Sequence, residues 1–157
     1  MEPAPLSGYG EPKRWILAFS HKSDAWWVRL LAFGRYKHVC AFGYVAEADT
    51  WVFYDVRLFK THVVVARDAA ARRAMAVFAE DADLIGIDVR PGPSVGVRLG
   101  FWCVPAIKHL IGLRSGALRP DRLYADCLSL GAEIISDESQ RAAGGPCIGC
   151  SAGAGQG

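Results

Sequence analysis

The stretch "YKHVCAFGYVAEADTWVFYDV", residues 36–56, decides the fold. Both flanks are rich in aromatic and β-branched side chains, which suit a half-buried pleated surface, and "EAD" at 47–49 supplies a turn between them. The reading is a β-hairpin. Its first strand carries His38 in strongly apolar company, where a lone imidazole is costly unless it has a partner. Asp55 lies in the second strand. If the turn sets an odd register, with paired residue numbers summing to 93 or 95, Asp55 falls directly across from His38 or diagonal to it on the same face. A slip of one residue would send the two to opposite faces. A carboxylate beside the ring would fix its tautomer and stabilise the imidazolium. The plainer alternatives are an ion pair from Asp55 to Arg57 or Arg35, a solvated position beside the turn, and a purely structural hydrogen bond for His38.

Working outward, "WILAFS" at 15–20 suits a buried strand. "SDAWWVRLLAFGR" at 23–35 opens on the capping residues Ser23 and Asp24. It carries Trp26, Trp27, Leu30, Leu31 and Phe33 at helical intervals and meets a stop at Gly34. "THVVVAR" at 61–67 adds a third strand of the same kind, after which Asp68 is placed to cap an alanine-rich helix whose Met75, Val77 and Phe78 face the core. "LIGIDVR" at 84–90 is a further strand, and "PGPSVGVRLG" at 91–100 is a loop. Helices follow from about 103 to 112 and from Pro120 to about Leu130. The expected architecture is α+β, an antiparallel sheet with flanking helices. It forms one domain over residues 13–135, between a flexible lead at 1–12 and a glycine-rich flexible tail at 136–157, with no internal repeat.

The totals agree with a single domain: 157 residues with a formal charge of +2 can bury a substantial core. Basic and acidic residues are interspersed, so nothing marks a nucleic-acid or anionic-membrane partner. The start lacks the basic and apolar regions of a secretory signal and no apolar run could span a bilayer, which predicts a cytoplasmic chain. Five cysteines at irregular spacing make a poor disulfide framework and fit a reducing compartment. Cys147 and Cys150 form a CxxC inside the tail, without a second pair to complete a zinc site.

A second stretch bears on chemistry. In "GFWCVPAIKHLIGL", residues 100–113, Pro105 belongs in the first turn of a helix, which places Cys103 at the N-cap or first helical position. Unpaired amides and the helix dipole there favour an anion, and so the thiolate that attacks carbonyl carbon. Val104, Ile107, Leu110 and Ile111 supply an apolar stripe, while Lys108 and His109 point elsewhere. A nucleophile also needs a base, and four histidines are available. His109 is nearly two turns along the same helix, His21 sits in a connection exposed to solvent, and His62 begins an edge strand. His38 remains. Two other readings of the sulfur stay open: a small buried filler, the common fate of free cysteine, and a zinc site made from His38, Cys40 and Cys103. Cys40 otherwise packs beside the histidine, and Cys127 is a helix-core residue. Trp27, Trp51 and Trp102 either line a cleft or fill the core.

The series "WILAFS", "WWVRLL", "GRYKHVCAF", "WVFYD" and "GFWCVPAIKHLIGL" resembles the circularly permuted branch of the papain-like, NlpC-type cysteine peptidases and amidases, including short bacterial and phage members. There a histidine strand precedes the cysteine helix, the reverse of the unpermuted order. The likeness runs from about Trp15 to Leu130. "RYKHV" matches an aromatic-x-His-hydrophobic strand, and "CVPAIKHLIGL" with "LRPDRLY" resembles the cysteine helix and a second helix opened by proline. Arg119 stands where threonine or serine is usual before that proline. The resemblance implies Cys103 as nucleophile, His38 as base and Asp55 as orienter, with no metal or cofactor. It also implies an amide or ester substrate, peptidoglycan peptides being the commonest target. For phage-type members it adds a second possibility, a catalytically silent shell that is virion-associated and contacts phage structural proteins.

Overall fold

The computed structural model describes residues 10–22, 34–57, 60–89 and 102–135. The expected helix at 23–33, the loop at 91–100, Trp27, the CxxC, residues 1–9 of the lead and the tail at 136–157 lie outside the described residues. Six strands, β1 (Arg14–Ser20), β2 (His38–Val45), β3 (Thr50–Val56), β4 (Thr61–Ala66), β5 (Ala82–Asp88) and β6 (Glu133–Ile135), make one sheet in the order β4-β3-β2-β1-β5-β6. Every neighbouring pair is antiparallel. Three helices accompany them: α1 (Asp68–Ala79), α2 (Cys103–Leu110) and α3 (Pro120–Ser129). The architecture is α+β, as the pattern of the sequence predicts.

The hairpin forms in the odd register. Ala41 pairs with Tyr54 and Val45 with Thr50, so paired numbers sum to 95. A 3-10 turn at Ala46–Ala48 ends on Asp49, whose φ of 46° lies in the left-handed region. Aspartate tolerates that region better than most residues. Its carboxylate accepts the Tyr44 hydroxyl at 2.5 Å, and Thr50 Oγ1 donates to the Ala48 carbonyl at 2.8 Å, so the turn is fixed by its own side chains.

Alternation along the strands divides the core in two. Leu17, Phe19, Val39, Ala41, Ile85 and Ile87 point to the side covered by α2 and α3, where they meet Val104, Ile107, Ile111, Leu123 and Cys127. Ala18, Cys40, Phe42, Phe53 and Leu84 point to the other side, where Met75 and Phe78 of α1 pack. The sheet is therefore buried on both faces through its middle strands. At one margin β4 leaves Val63, Val64 and Val65 exposed.

Three local expectations need correction. Val77 is 68% exposed, because the buried stripe of α1 runs through Ala71, Ala74, Met75 and Phe78, positions three and four apart, and Val77 falls off it. Asp68 is the first residue of α1 rather than its cap; the cap position is Arg67, without a side-chain capping bond, and the Asp68 charge acts only on the positive helix end. The strand β6 has no counterpart in the sequence reading. It is three residues long and exposes Ile134, so neither length nor alternation announces it.

Candidate active site

The ladder between β2 and β3 runs from Val45–Thr50 to Ala41–Tyr54, and the candidate residues lie just beyond that end: His38 and Cys40 on β2, Asp55 on β3. Extending the register places Cys40 across from Asp55 and His38 diagonal to it. The diagonal is within reach of long side chains. His38 Nε2 and Asp55 Oδ1 are 2.6 Å apart. The second oxygen, Oδ2, accepts from Arg57 Nε at 2.9 Å. The alternatives raised by the sequence are thus realised together, one on each oxygen.

Asp55 keeps 8% of its side chain exposed and His38 keeps 22%. Burial by itself disfavours charge on both groups, yet the pairing outweighs it. Against that burial, the hydrogen bonds and charges of Asp55 and Cys103 push the His38 pKa up to about 9. Burial likewise works against the Asp55 carboxylate, but His38 and Arg57 hold its pKa below the ordinary carboxylate value. The direction is the same for both partners, toward an imidazolium beside a carboxylate.

Cys103 is the first residue of α2, following the extended cap residue Trp102. Helix α2 packs on β2 and reaches β3, and Val104, Ile107 and Ile111 seat it on the sheet with almost no exposure. Strict alternation would send His38 to the Phe42 side of the sheet, whereas Cys103 belongs to the cluster on the other side. They meet at the end of the ladder, where the thiol lies beside the imidazole, close enough that its hydrogen bonding and charge both favour the protonated ring. Because Asp55 occupies Nε2, the ring nitrogen left for the sulfur is Nδ1. Cys103 itself is 8% exposed, and Trp102, 39% exposed, hydrogen-bonds through Nε1 to the Leu118 carbonyl.

The other candidates separate cleanly. His21, expected in solvent, is half-buried with Nε2 3.2 Å from Asp83 Oδ1. His62 pairs with Asp55 across β3 and β4 on the edge strand, and His109 is exposed near the far end of α2. Cys40 is buried with its sulfur 3.8 Å from the Ala18 carbonyl oxygen; burial, then the nearby Asp55 and Cys103 charges, push its thiol pKa well up. Burial also raises Cys127, to about 12. Trp51 packs against Phe42 and Tyr44 rather than lining an opening. Among the described residues no three His, Cys, Asp or Glu side chains converge as a metal site, and no helix is long and apolar enough to cross a membrane.

Two carboxylates that sequence reasoning missed position His38 indirectly. Asp121, in the first turn of α3, accepts from the Arg35 amide at 2.7 Å and the Tyr36 amide at 3.3 Å. Asp83 accepts the Tyr36 hydroxyl at 2.5 Å and lies 2.7 Å from the Arg35 guanidinium. Together with Lys37 N donating to the Ser20 carbonyl at 2.8 Å, they fix the chain immediately before His38. An aspartate after a helix-opening proline carries no mark of that long-range role. An open cavity of about 370 Å³ lies near this clamp, lined by Arg35, Asp83, Tyr124 and Ile134 among others, and none of the three candidate residues reaches it.

No family model matches the chain, and no curated protein or solved structure matches it either.

Proposed function

We propose that this chain is a thiol hydrolase that cleaves an amide or ester bond with Cys103 as nucleophile, His38 as general base and acid, and Asp55 as orienter. One observation carries the reading: a half-buried imidazole is shared between a carboxylate on one nitrogen and a thiol beside the ring. That constellation activates sulfur in cysteine hydrolases regardless of fold. The Cys103 thiolate adds to the substrate carbonyl, and the resulting oxyanion is met by the amides of the first turn of α2, which have no acceptor within the helix. His38 then gives its proton to the departing amine or alcohol, and water attacks the acyl-enzyme with the same ring as base. No metal or cofactor is needed.

The order along the chain, histidine strand before cysteine helix, supports assignment to the permuted papain-like, NlpC-type arrangement, with a peptide amide such as one in a peptidoglycan stem peptide as substrate. The near-complete burial of Cys103 favours a second reading, a silent shell of the same fold that binds phage structural proteins without turnover. Alkylation decides between them. Under the hydrolase reading, iodoacetamide modifies Cys103 readily at pH 6, and His38→Ala slows that reaction at least tenfold. Sluggish modification that ignores His38→Ala would leave only the silent module.

A further inference from the structure

We infer that Arg57 is a positioning residue of the site, acting through Asp55 to hold His38 in line with Cys103. The inference rests on the hydrolase reading and extends the constellation by one member. A carboxylate bound at only one oxygen can rotate about its last bond, and the ring it orients then moves with it. Here Arg57 Nε takes Oδ2 at 2.9 Å while Oδ1 holds His38, so both oxygens are fixed and the plane of the carboxylate is set. The backbone of Arg57 is tied as well, its amide donating to the Lys60 carbonyl at 2.9 Å where β3 turns into β4. The guanidinium is over half exposed, while the group it braces is almost wholly buried. It therefore stabilises an interior anion without itself being desolvated, the cheaper arrangement for a charge pair.

The other titratable groups near Asp55 are His38 and Cys40 from β2 and His62 across the ladder from β4, with Cys103 of α2 beside His38. Of these only His38 joins Arg57 in hydrogen-bonding the carboxylate. Removing Arg57 takes away one of the two groups that keep Asp55 ionised, so protonation of Asp55 moves to higher pH and the site loses its acid-side reactivity first.

The test is the pH profile of Cys103 alkylation by iodoacetamide in wild type, Arg57→Ala and Arg57→Lys, read beside thermal unfolding of each. Arg57→Ala should react about tenfold more slowly at pH 6, with the acid limb displaced upward. Arg57→Lys keeps the charge and should return the limb toward its wild-type position even if the plateau stays lower. Arg57→Ala and wild-type profiles that superimpose would overturn the assignment, including the case in which only the melting temperature drops, since that marks a hairpin tie alone. A wild-type profile that itself ignores His38→Ala removes the hydrolase reading and the role of Arg57 together. A normal wild-type profile with an unchanged Arg57→Ala removes the role of Arg57 only.

Discussion

At His38 the pKa rises from an ordinary 6.5 to about 9, because Asp55 and Cys103 favour the charged ring more than burial opposes it. A group raised in the folded state contributes stability that is fully present below its unfolded value and is lost as the pH climbs through its folded value. The melting temperature of the wild type should therefore fall between about pH 6.5 and 9, and His38→Ala should flatten that slope; thermal unfolding across the range measures it. Cys103 behaves differently as a structural residue. Its sulfur occupies a small, nearly closed site, so Cys103→Ala should cost about 1 kcal/mol or less while abolishing alkylation. A larger loss would favour the filler reading of that thiol. The sequence made His38 and Cys103 legible because an imidazole in an apolar strand and a cysteine ahead of a first-turn proline each stand out alone. The engagement of Asp55 by Arg57 was visible only as one of several competing alternatives. The carboxylate has two oxygens, and both bonds form.

Helix α2 carries Cys103 as its first residue. Its seat is the stripe of Val104, Ile107 and Ile111, and Ile107 is fully buried, so Ile107→Ala should cost about 3 kcal/mol and lower the melting temperature far more than Cys103→Ala does. Helix α3 acts at a distance, through the grip of Asp121 on the segment that leads into β2. Gly34 makes that grip possible. Its φ is +139°, and a Cβ there would come within 2.2 Å of Asp121 Oδ2. Gly34→Ala should thus destabilise the protein by roughly 1–3 kcal/mol and slow Cys103 alkylation, because His38 sits four residues further along the chain. Reading the sequence did place a break at Gly34, as the stop of the helix expected at 23–33. That the break also admits a carboxylate from α3 depends on packing between segments far apart in the chain, which local propensity does not encode. The same limit explains β6, whose three residues become a strand only because β5 offers an edge.

Across the whole molecule, the sheet order brings β1 between β2 and β5, so the first of the described strands lies in the middle of the sheet. The identity of β1 to β5 was readable from alternation and from the residues of the turns, whereas that of β6 was not. Strand order was not, since it follows from which faces the helices cover once everything is in place. With helices on both sides, the sheet buries Phe19 and Ile85 on one face and Phe42 and Phe53 on the other, and the candidate residues of β2 and β3 lie beyond the end of the ladder between those two strands. His38 and Asp55 belong to one hairpin and find each other by local closure, whereas the sulfur arrives from a helix encoded well downstream. Synthesis on the ribosome proceeds from the amino end, so His38 and Asp55 emerge before Cys103 does. On the hydrolase proposal, a polypeptide cut short ahead of α2 would hold the imidazole and carboxylate of the hairpin without a nucleophile, and so would have no hydrolytic activity.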